Sequence, residues 1–543
     1  MRIESDRAAP SRARVELWSL RADVSVESEP AGGPVRLRGR WGDVVVPRPS
    51  RLVREALARM RLGPVSLENA ISGLPVPAGG DADLGRADLD RVFEQLQPLI
   101  VRSLGLPSGQ PLLSVVPLTV RSRFRPVPLA PDIPIRLSAF AELRSDGSMY
   151  CIESSLALHR VLLHRAEAMM LIAPLASPVT PAALLAGVPG LGPVAADALE
   201  YLAAAGMVVQ ARQAAENQPV FAEDTDPALI GWSPVDMMFH NRSTLGRHDH
   251  NFGITYPTGE TTPAEPVVKP PAPDYIRLHR PRWDDLCAAD PPLTAVVEAR
   301  RSMGRHGAGP VTIADLGDLL YRTARVRSLI ATGPPGYPGS GEPQAGYELS
   351  DRPYPSGGAC YEMEFYVTAG NCTGLDRGVY HYDPLGHRLE PVGADGPAVD
   401  ELLGCARVAA AMAAPPPVLL TMTVRFRRLS WKYEGLAYRM VLMHVGVLIQ
   451  SLYLVCTAMR LAPCALGSVS IEAAARAFGT DWRVEPCVGQ FIVGGDSDEP
   501  PRDASRWRDV NDARWADLAR AYLERPPQAP VNLEKGPGDD PAS

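Results

Sequence analysis

Arg352-Pro-Tyr-Pro-Ser356-Gly357-Gly358-Ala359, followed closely by Tyr361-Glu-Met-Glu-Phe-Tyr-Val-Thr368, is the stretch on which the fold reading turns. The second run alternates as a strand does. The Ser-Gly-Gly turn before it has no β-carbons at the glycines, so its backbone can approach a flat ring closely; an ordinary tight turn is the other reading. Beyond it, Gly378-Val-Tyr-His381-Tyr-Asp383-Pro-Leu-Gly-His387-Arg-Leu-Glu reads as a strand, a turn and a returning strand. His381 and His387 sit in this hairpin with no third metal ligand in view, and are read as structural.

Upstream lies Glu298-Ala-Arg300-Arg301-Ser302-Met-Gly-Arg305. Two adjacent guanidinium groups and a hydroxyl at a helix-to-loop junction suit a phosphate, because arginine forks donate in pairs to anionic oxygens. Thr312 to Ala324 reads as an amphipathic helix, with Leu316, Leu319 and Leu320 on one face to anchor the arginine loop. The run Gly333-Pro-Pro-Gly-Tyr-Pro-Gly-Ser-Gly341 is a long irregular loop, read as a lid or a plain surface excursion. Downstream, Met440 to Met459 is apolar and nearly long enough for a bilayer. It carries His444 and Gln450 and is entered by Tyr438-Arg439, so it is read as the central buried helix of a large domain.

The chain has 543 residues, 45% apolar and 22% charged, which predicts two to four globular domains. A net charge of -7 with no Lys/Arg run excludes nucleic acid as an expected partner. The eight cysteines are scattered without metal-binding spacing, so reduced structural thiols and no metal are expected. The charged N-terminus lacks an apolar signal region, and the protein is expected to be cytoplasmic, without membrane association.

Residues 1–134 form an N-terminal region of unknown role, with helix expected at Arg51 to Leu62 and Leu84 to Leu104. In 135–230, strands from Ile135 and from Met149 flank Asp146-Gly147, a hairpin signal. Thr180-Pro181 caps a helix to Ala186, Val194 to Ala205 forms another stopped by Gly206, and Met207-Val-Val-Gln restarts as strand. Short helices beside a small sheet suggest a winged-helix-like module that binds a peptide by strand addition, dimerises, or only supports structure. Residues 231–285 are read as a connecting segment with a Pro-rich linker through Lys269-Pro-Pro-Ala-Pro, 286–525 as the principal α+β domain, and 526–543 as a disordered tail.

Taken in order, Arg300-Arg301-Ser302, Pro355-Ser-Gly-Gly-Ala359, Gly378-Val-Tyr-His-Tyr-Asp383, Trp431-Lys432-Tyr433, Tyr438-Arg439 and Gly446 to Gln450 resemble the SagB/McbC-type azoline dehydrogenases of the nitroreductase superfamily. The resemblance spans roughly residues 290 to 500, and Phe239-His-Asn-Arg242-Ser243-Thr-Leu-Gly246-Arg247-His248-Asp249 is similar to a segment preceding the flavin domain in that family. It implies a homodimeric α+β fold with FMN at the subunit interface, acting on a precursor peptide whose thiazolines or oxazolines become thiazoles or oxazoles, with a cyclodehydratase complex as a further partner. By motif position, Arg300, Arg301 and Ser302 would meet the FMN phosphate. Ser356, Gly357 and Gly358 would line the ring system, with Gln450, Leu466 and Gly467 completing the cofactor contacts. Lys432 and Tyr433 occupy the family's catalytic Lys-Tyr position. The chain departs from the family at Gly446-Val447-Leu-Ile-Gln450-Ser451, and Gly494-Gly495 stands where the family closes with Gly-Arg. Two rival readings are a general NAD(P)H-dependent flavin reductase of the same fold and a non-catalytic scaffold subunit.

Overall fold

Strands whose residues are buried without alternation, such as Met363–Ala369 and Val418–Val424, announce a sheet covered on both faces. The computed structural model describes residues 15–28, 33–72, 82–212, 218–258, 265–303, 310–332, 347–468, 470–495, 510–512 and 514–524. The chain divides into two units, residues 1–250 and 251–543. The loop at Gly333–Gly341 and the tail from Pro526 lie outside the described residues, as does the linker between residues 259 and 264.

In the C-terminal unit, seven antiparallel strands run in the order Ile276–Arg277, Arg388–Pro391, Gly378–Asp383, Met363–Ala369, Val418–Val424, Cys487–Gly494 and Ala462–Leu466. Neighbouring side chains point to opposite faces. Phe365, Leu420 and Phe491 join one core with the helices Ile313–Ala324 and Ala437–Ala458, while Tyr366, Leu419 and Ile492 join another with Gly396–Ala409 and Ile471–Phe478. This helix-covered sheet is the expected α+β architecture. Leu316, Leu319 and Leu320 are fully buried, and a reciprocal Thr312–Asp315 capping box starts their helix. The apolar helix Ala437–Ala458 buries Val441, His444, Val445, Leu448, Leu452 and Cys456, as a core helix does.

The N-terminal unit holds a second seven-stranded antiparallel sheet. Its order is Val65–Ser66, Val15–Leu20, Ile100–Gly105, Pro111–Pro117, His159–Leu163, Met149–Ser154 and Ala141–Asp146. It draws strands from both sides of residue 134. The Asp146-Gly147 hairpin forms its edge, with Gly147 at φ +62°, where a β-carbon is disfavoured. Ile135–Leu137 does not extend that hairpin and pairs instead with Val208–Gln210. Helices Pro181–Ala186, capped by the Thr180 hydroxyl, and Pro193–Ala204 follow the sequence closely. The helix expected over Leu84 to Leu104 ends at Leu96. Pro98 cannot donate to a continuing helix, and the β-branched pair Ile100-Val101 enters the sheet.

The expected linker is no free tether from Glu265 onward. Arg425 donates to the carbonyls of Pro266 (2.7 Å) and Val267 (2.9 Å), Arg428 to that of Glu265, and Lys269 pairs with Glu485 at 2.7 Å. These contacts join a buried polar network in which His381 is held by Glu364 (2.9 Å, Nε2) and Glu390 (3.3 Å, Nδ1), and Arg425 reaches Glu364 at 2.7 Å. Burial would lower the pKa of His381, but the bonds to Glu364 and Glu390 outweigh it and hold it up at about 9. Burial would raise Glu364, yet His381 and Arg425 hold it down to about 2.

The network therefore stabilises fully between the ordinary values of the two groups, 4.5 for Glu and 6.5 for His. Stability is lost on the alkaline side as pH rises through the raised value of His381, and on the acid side as pH falls through the depressed value of Glu364. Urea melts are expected to show a fall of roughly 2–3 kcal/mol above neutrality, and a flat profile there for His381→Gln. An unchanged alkaline slope in that variant would refute the assignment. His387, the second histidine of the hairpin, accepts from Tyr382 Oη at Nδ1 (2.9 Å) and donates from Nε2 to the His279 carbonyl (2.7 Å). Among the described residues, no group of three side chains could hold a metal ion.

Candidate functional site

Lys432 and Tyr433 follow the short helix Arg427–Ser430 and enter the two-residue strand Tyr433–Glu434, which pairs antiparallel with Gly253–Ile254. The Lys432 carbonyl accepts from the backbone N–H groups of Thr255 (3.2 Å) and Tyr256 (3.3 Å), and Thr255 Oγ1 donates to Glu434 at 2.8 Å. The backbone of the pair is thereby clamped while its side chains reach toward the Ser356-Gly357-Gly358 turn. A β-carbon built on Gly358 would stand 2.6 Å from Tyr433 Oη and 3.0 Å from Lys432 Nζ, and Gly358 has φ +62°. Lys432 Nζ lies 5.6 Å from the Tyr433 ring centroid.

The turn is fixed from below by two residues whose role was not read from the sequence. Glu362, fully buried, accepts from Ser356 Oγ (3.1 Å) and bonds His444 Nδ1 (2.6 Å), while the Gly357 N–H donates to His444 Nε2 (2.8 Å). An N–H can only donate, so Nε2 is the bare acceptor and Nδ1 carries the proton given to Glu362. His444 is therefore the neutral Nδ1–H tautomer in this arrangement. Ser356 Oγ also accepts from the Tyr361 N–H at 3.0 Å. The available signal was a histidine in an otherwise apolar helix and a glutamate in a buried strand, since a buried polar group requires a partner.

Cationic charge collects beside the turn. Burial pushes the Cys360 thiol up to about 11 against the opposing pull of Lys432 and Arg428. Arg428 is itself buried and donates to the Cys360 carbonyl at 2.5 Å; burial and Arg425 bring it down to about 10.

The second half of the long helix carries the other group of expected residues. Helix Leu293–Ala299 ends at Arg300, as the sequence predicts. Ser302 Oγ and Tyr453 Oη are 2.7 Å apart, Tyr453 Oη accepts from the Ala465 N–H at 2.8 Å, and the Arg300 guanidinium lies 5.2 Å over the Tyr453 ring. The Met303 N–H donates to the Pro463 carbonyl at 2.8 Å, tying this segment to the strand that ends at Leu466. Along the helix, Tyr453 is roughly 13 Å from His444, from the rise per residue of an α-helix. Gln450 and Gly467 are exposed, and Gln450 makes no side-chain hydrogen bond among the described residues.

The chain thus assembles two half-sites. Arg300 and the Ser302 hydroxyl gather at one, with Arg301 next in the chain, and a hydrogen-bonded turn beside the Lys432 amine and a phenol forms the other. This donor set fits a phosphate-bearing flat-ring cofactor. A β-carbon at Gly357 would run into Met440, and one at Gly358 into Tyr433 and Lys432.

Residues 310–495 match the nitroreductase family, and residues 135–249 match the cyanobactin oxidase ThcOx family. A nitroreductase-type protein of Methanocaldococcus jannaschii is 27% identical over 204 residues, 37% of this chain and 85% of its own. The microcin B17-processing protein McbC of Escherichia coli is 31% identical over 159 residues, 26% of this chain; the match spans 53% of McbC, about half its length. Among solved structures, the E. coli microcin synthetase McbBCD complex with truncated pro-MccB17 bound matches at 25% identity, covering 36% of this chain and 71% of that one, with a TM-score of 0.29. A nitroreductase-type protein of Ralstonia eutropha matches at 19% identity, covering 44% of this chain and 100% of that one, with a TM-score of 0.31.

The fold and the matched regions define an oxidoreductase whose C-terminal domain is of the nitroreductase family. A ThcOx-type region, residues 135–249, precedes the nitroreductase-type region, residues 310–495, and the chain resembles McbC over 159 residues.

Proposed function

We propose that this protein is an FMN-dependent dehydrogenase that oxidises thiazolines or oxazolines in a ribosomally made peptide to thiazoles or oxazoles. The observation that carries the reading is the meeting of Lys432 Nζ and Tyr433 Oη on Gly358, at a turn locked by Glu362 and His444. Aromatising an azoline removes a proton from the peptide Cα and a hydride from the adjacent ring carbon. FMN, when bound, would supply the two-electron acceptor for that hydride, with oxygen as the simplest final oxidant. Lys432 Nζ takes the Cα proton, and Tyr433 Oη beside it orients the ring or shares the proton. Arg300, Arg301 and Ser302 would hold the phosphate, and Ser356, Gly357 and Gly358 the ring system, with Gln450, Leu466 and Gly467 as the remaining contacts.

Two half-sites set apart along one helix suggest that a second copy completes the site. Tyr438, Leu442, Met443 and Val447 stand exposed on that helix ahead of Gln450, an apolar stripe suited to pairing in a homodimer. The azoline itself must come from dehydrative ring closure, so a cyclodehydratase is the natural partner, and the setting we assign is the cytoplasm.

The test is the visible spectrum of the purified protein loaded with FMN, followed by anaerobic addition of an azoline peptide. The reading requires bleaching of the flavin band and an azole product two mass units lighter than the substrate. Bleaching by NAD(P)H but not by the peptide would favour a general flavin reductase. A protein that takes up no FMN would favour a scaffold subunit.

A further inference from the structure

The segment Phe239–Asp249, singled out in the sequence, has no part in the chemistry above. In the N-terminal unit its residues Arg242, Arg247 and Asp249 line a cavity of about 70 Å³ together with Arg144, Glu153 and Arg160 from the three adjacent strands at one side of the sheet. Four guanidinium groups thus face two carboxylates. Each carboxylate in the wall is bracketed by two arginines. Glu153 accepts from Arg144 (3.3 Å) and from Arg242, and Asp249 from Arg160 (2.5 Å) and Arg21 (3.0 Å). Arg247 has no carboxylate partner among the described residues, and its Nη2 donates only to main-chain carbonyls, closest to that of Leu156 at 2.9 Å. Ser155 also lines the cavity, is 4% exposed, and has a hydroxyl with no hydrogen-bond partner.

The local field is positive. Burial and the neighbouring Arg144 both disfavour the charged form of Arg242. Glu142, cross-strand from Glu153, offsets part of that field. Excess cationic charge in a partly dry space favours an anion, and planar guanidinium forks suit a carboxylate. The space is enough for a carboxylate and its methylene, the tip of an acidic side chain. Beside it, helix Pro234–Arg242 turns Arg242 inward and leaves Val235 and Phe239, one turn apart, exposed as apolar ground for flanking residues.

We propose that this cavity is a docking site for an acidic side chain of the substrate peptide, whose carboxylate pairs with Arg247 and completes the cluster. The assignment of the ligand as the substrate rests on the peptide-modifying function proposed above; the carboxylate chemistry does not.

The experiment uses the full chain and a fluorescent synthetic peptide with one glutamate between apolar residues, alongside its glutamine counterpart, followed by anisotropy. The glutamate peptide is expected to bind saturably and about tenfold more tightly than the glutamine form, and to lose about tenfold in Arg247→Gln. Arg144→Gln, whose side chain is 42% exposed, is the second variant should the first not fold; it leaves Glu153 with Arg242 and is expected to weaken binding similarly. Equal binding of the two peptides, or undiminished binding by the folded variants, overturns the proposal. Acetate that stabilises the parent but not the variants, with no discrimination between the peptides, makes the cavity a site for free carboxylates and overturns its peptide role. An FMN titration on the same samples separates the two readings. Normal flavin uptake with failed discrimination removes only this site, whereas discrimination without flavin uptake removes the dehydrogenase reading and leaves the site standing.

Discussion

Lys432→Ala is expected to take up FMN as the parent does and to slow anaerobic bleaching by an azoline peptide by about 10²–10⁴-fold, the range that a positioned base contributes. The geometry makes this prediction sharp. Lys432 Nζ lies at the Gly358 turn, its carbonyl is clamped by Thr255 and Tyr256, and its neighbour Tyr433 is equally fixed. Removing the amine leaves the backbone strand pairing untouched, so flavin uptake and folding provide internal controls. Tyr433→Phe keeps the ring and is expected to cost less, about tenfold, if the phenol shares rather than carries the proton. Stopped-flow absorbance of the two variants at equal flavin loading measures both effects. A Lys432→Ala protein that bleaches at the parental rate would remove the proposed base.

Glu362→Leu is expected to lower stability by about 2–3 kcal/mol and to loosen the Ser356–Gly358 turn. The carboxylate is wholly buried and serves two groups: it accepts from Ser356 Oγ and from the Nδ1–H of His444. A leucine fills a similar volume but leaves both donors unsatisfied, and His444 then loses what fixes the tautomer that receives the Gly357 N–H. Glu362→Gln retains an acceptor oxygen for His444 and is expected to recover most of the loss. Urea melts give the stabilities, and the flavin absorbance of the loaded proteins shows whether the turn is disturbed. If leucine and glutamine behave alike in both measurements, the hydrogen-bonded frame is not what holds the turn.

Much of this was legible in the chain. Thr312 with Asp315 and the leucines at 316, 319 and 320 specify a capped amphipathic helix by local rules, and Thr180-Pro181 and Gly206 mark helix ends for the same reason. Arg300, Ser302 and Ser356 could be singled out because their residue types suit phosphate and ring contacts, and Lys432 through the family motif that it resembles. The stretch from Leu84 to Leu104 misled, because an apolar run alone does not separate a helix from a buried strand. Residues 265–272 also misled: their composition is that of a linker, yet Arg425, Arg428 and Lys269 fasten them to the sheet and its surroundings.

By itself the sequence determined the elements set by near neighbours: capped helices, the Asp146-Gly147 hairpin and the central apolar helix. These depend on backbone preferences and on the spacing of apolar residues, which are properties of short windows. Only the tertiary structure decided which distant groups meet. It set Glu362 against His444 across 82 positions of chain and laid Lys432 and Tyr433 on Gly358. It also closed Arg242, Arg247 and Asp249 over the edge of the N-terminal sheet. Such partners are chosen because a buried polar group must find its complement wherever the packed sheets and helices bring one within reach, and no local pattern encodes that position.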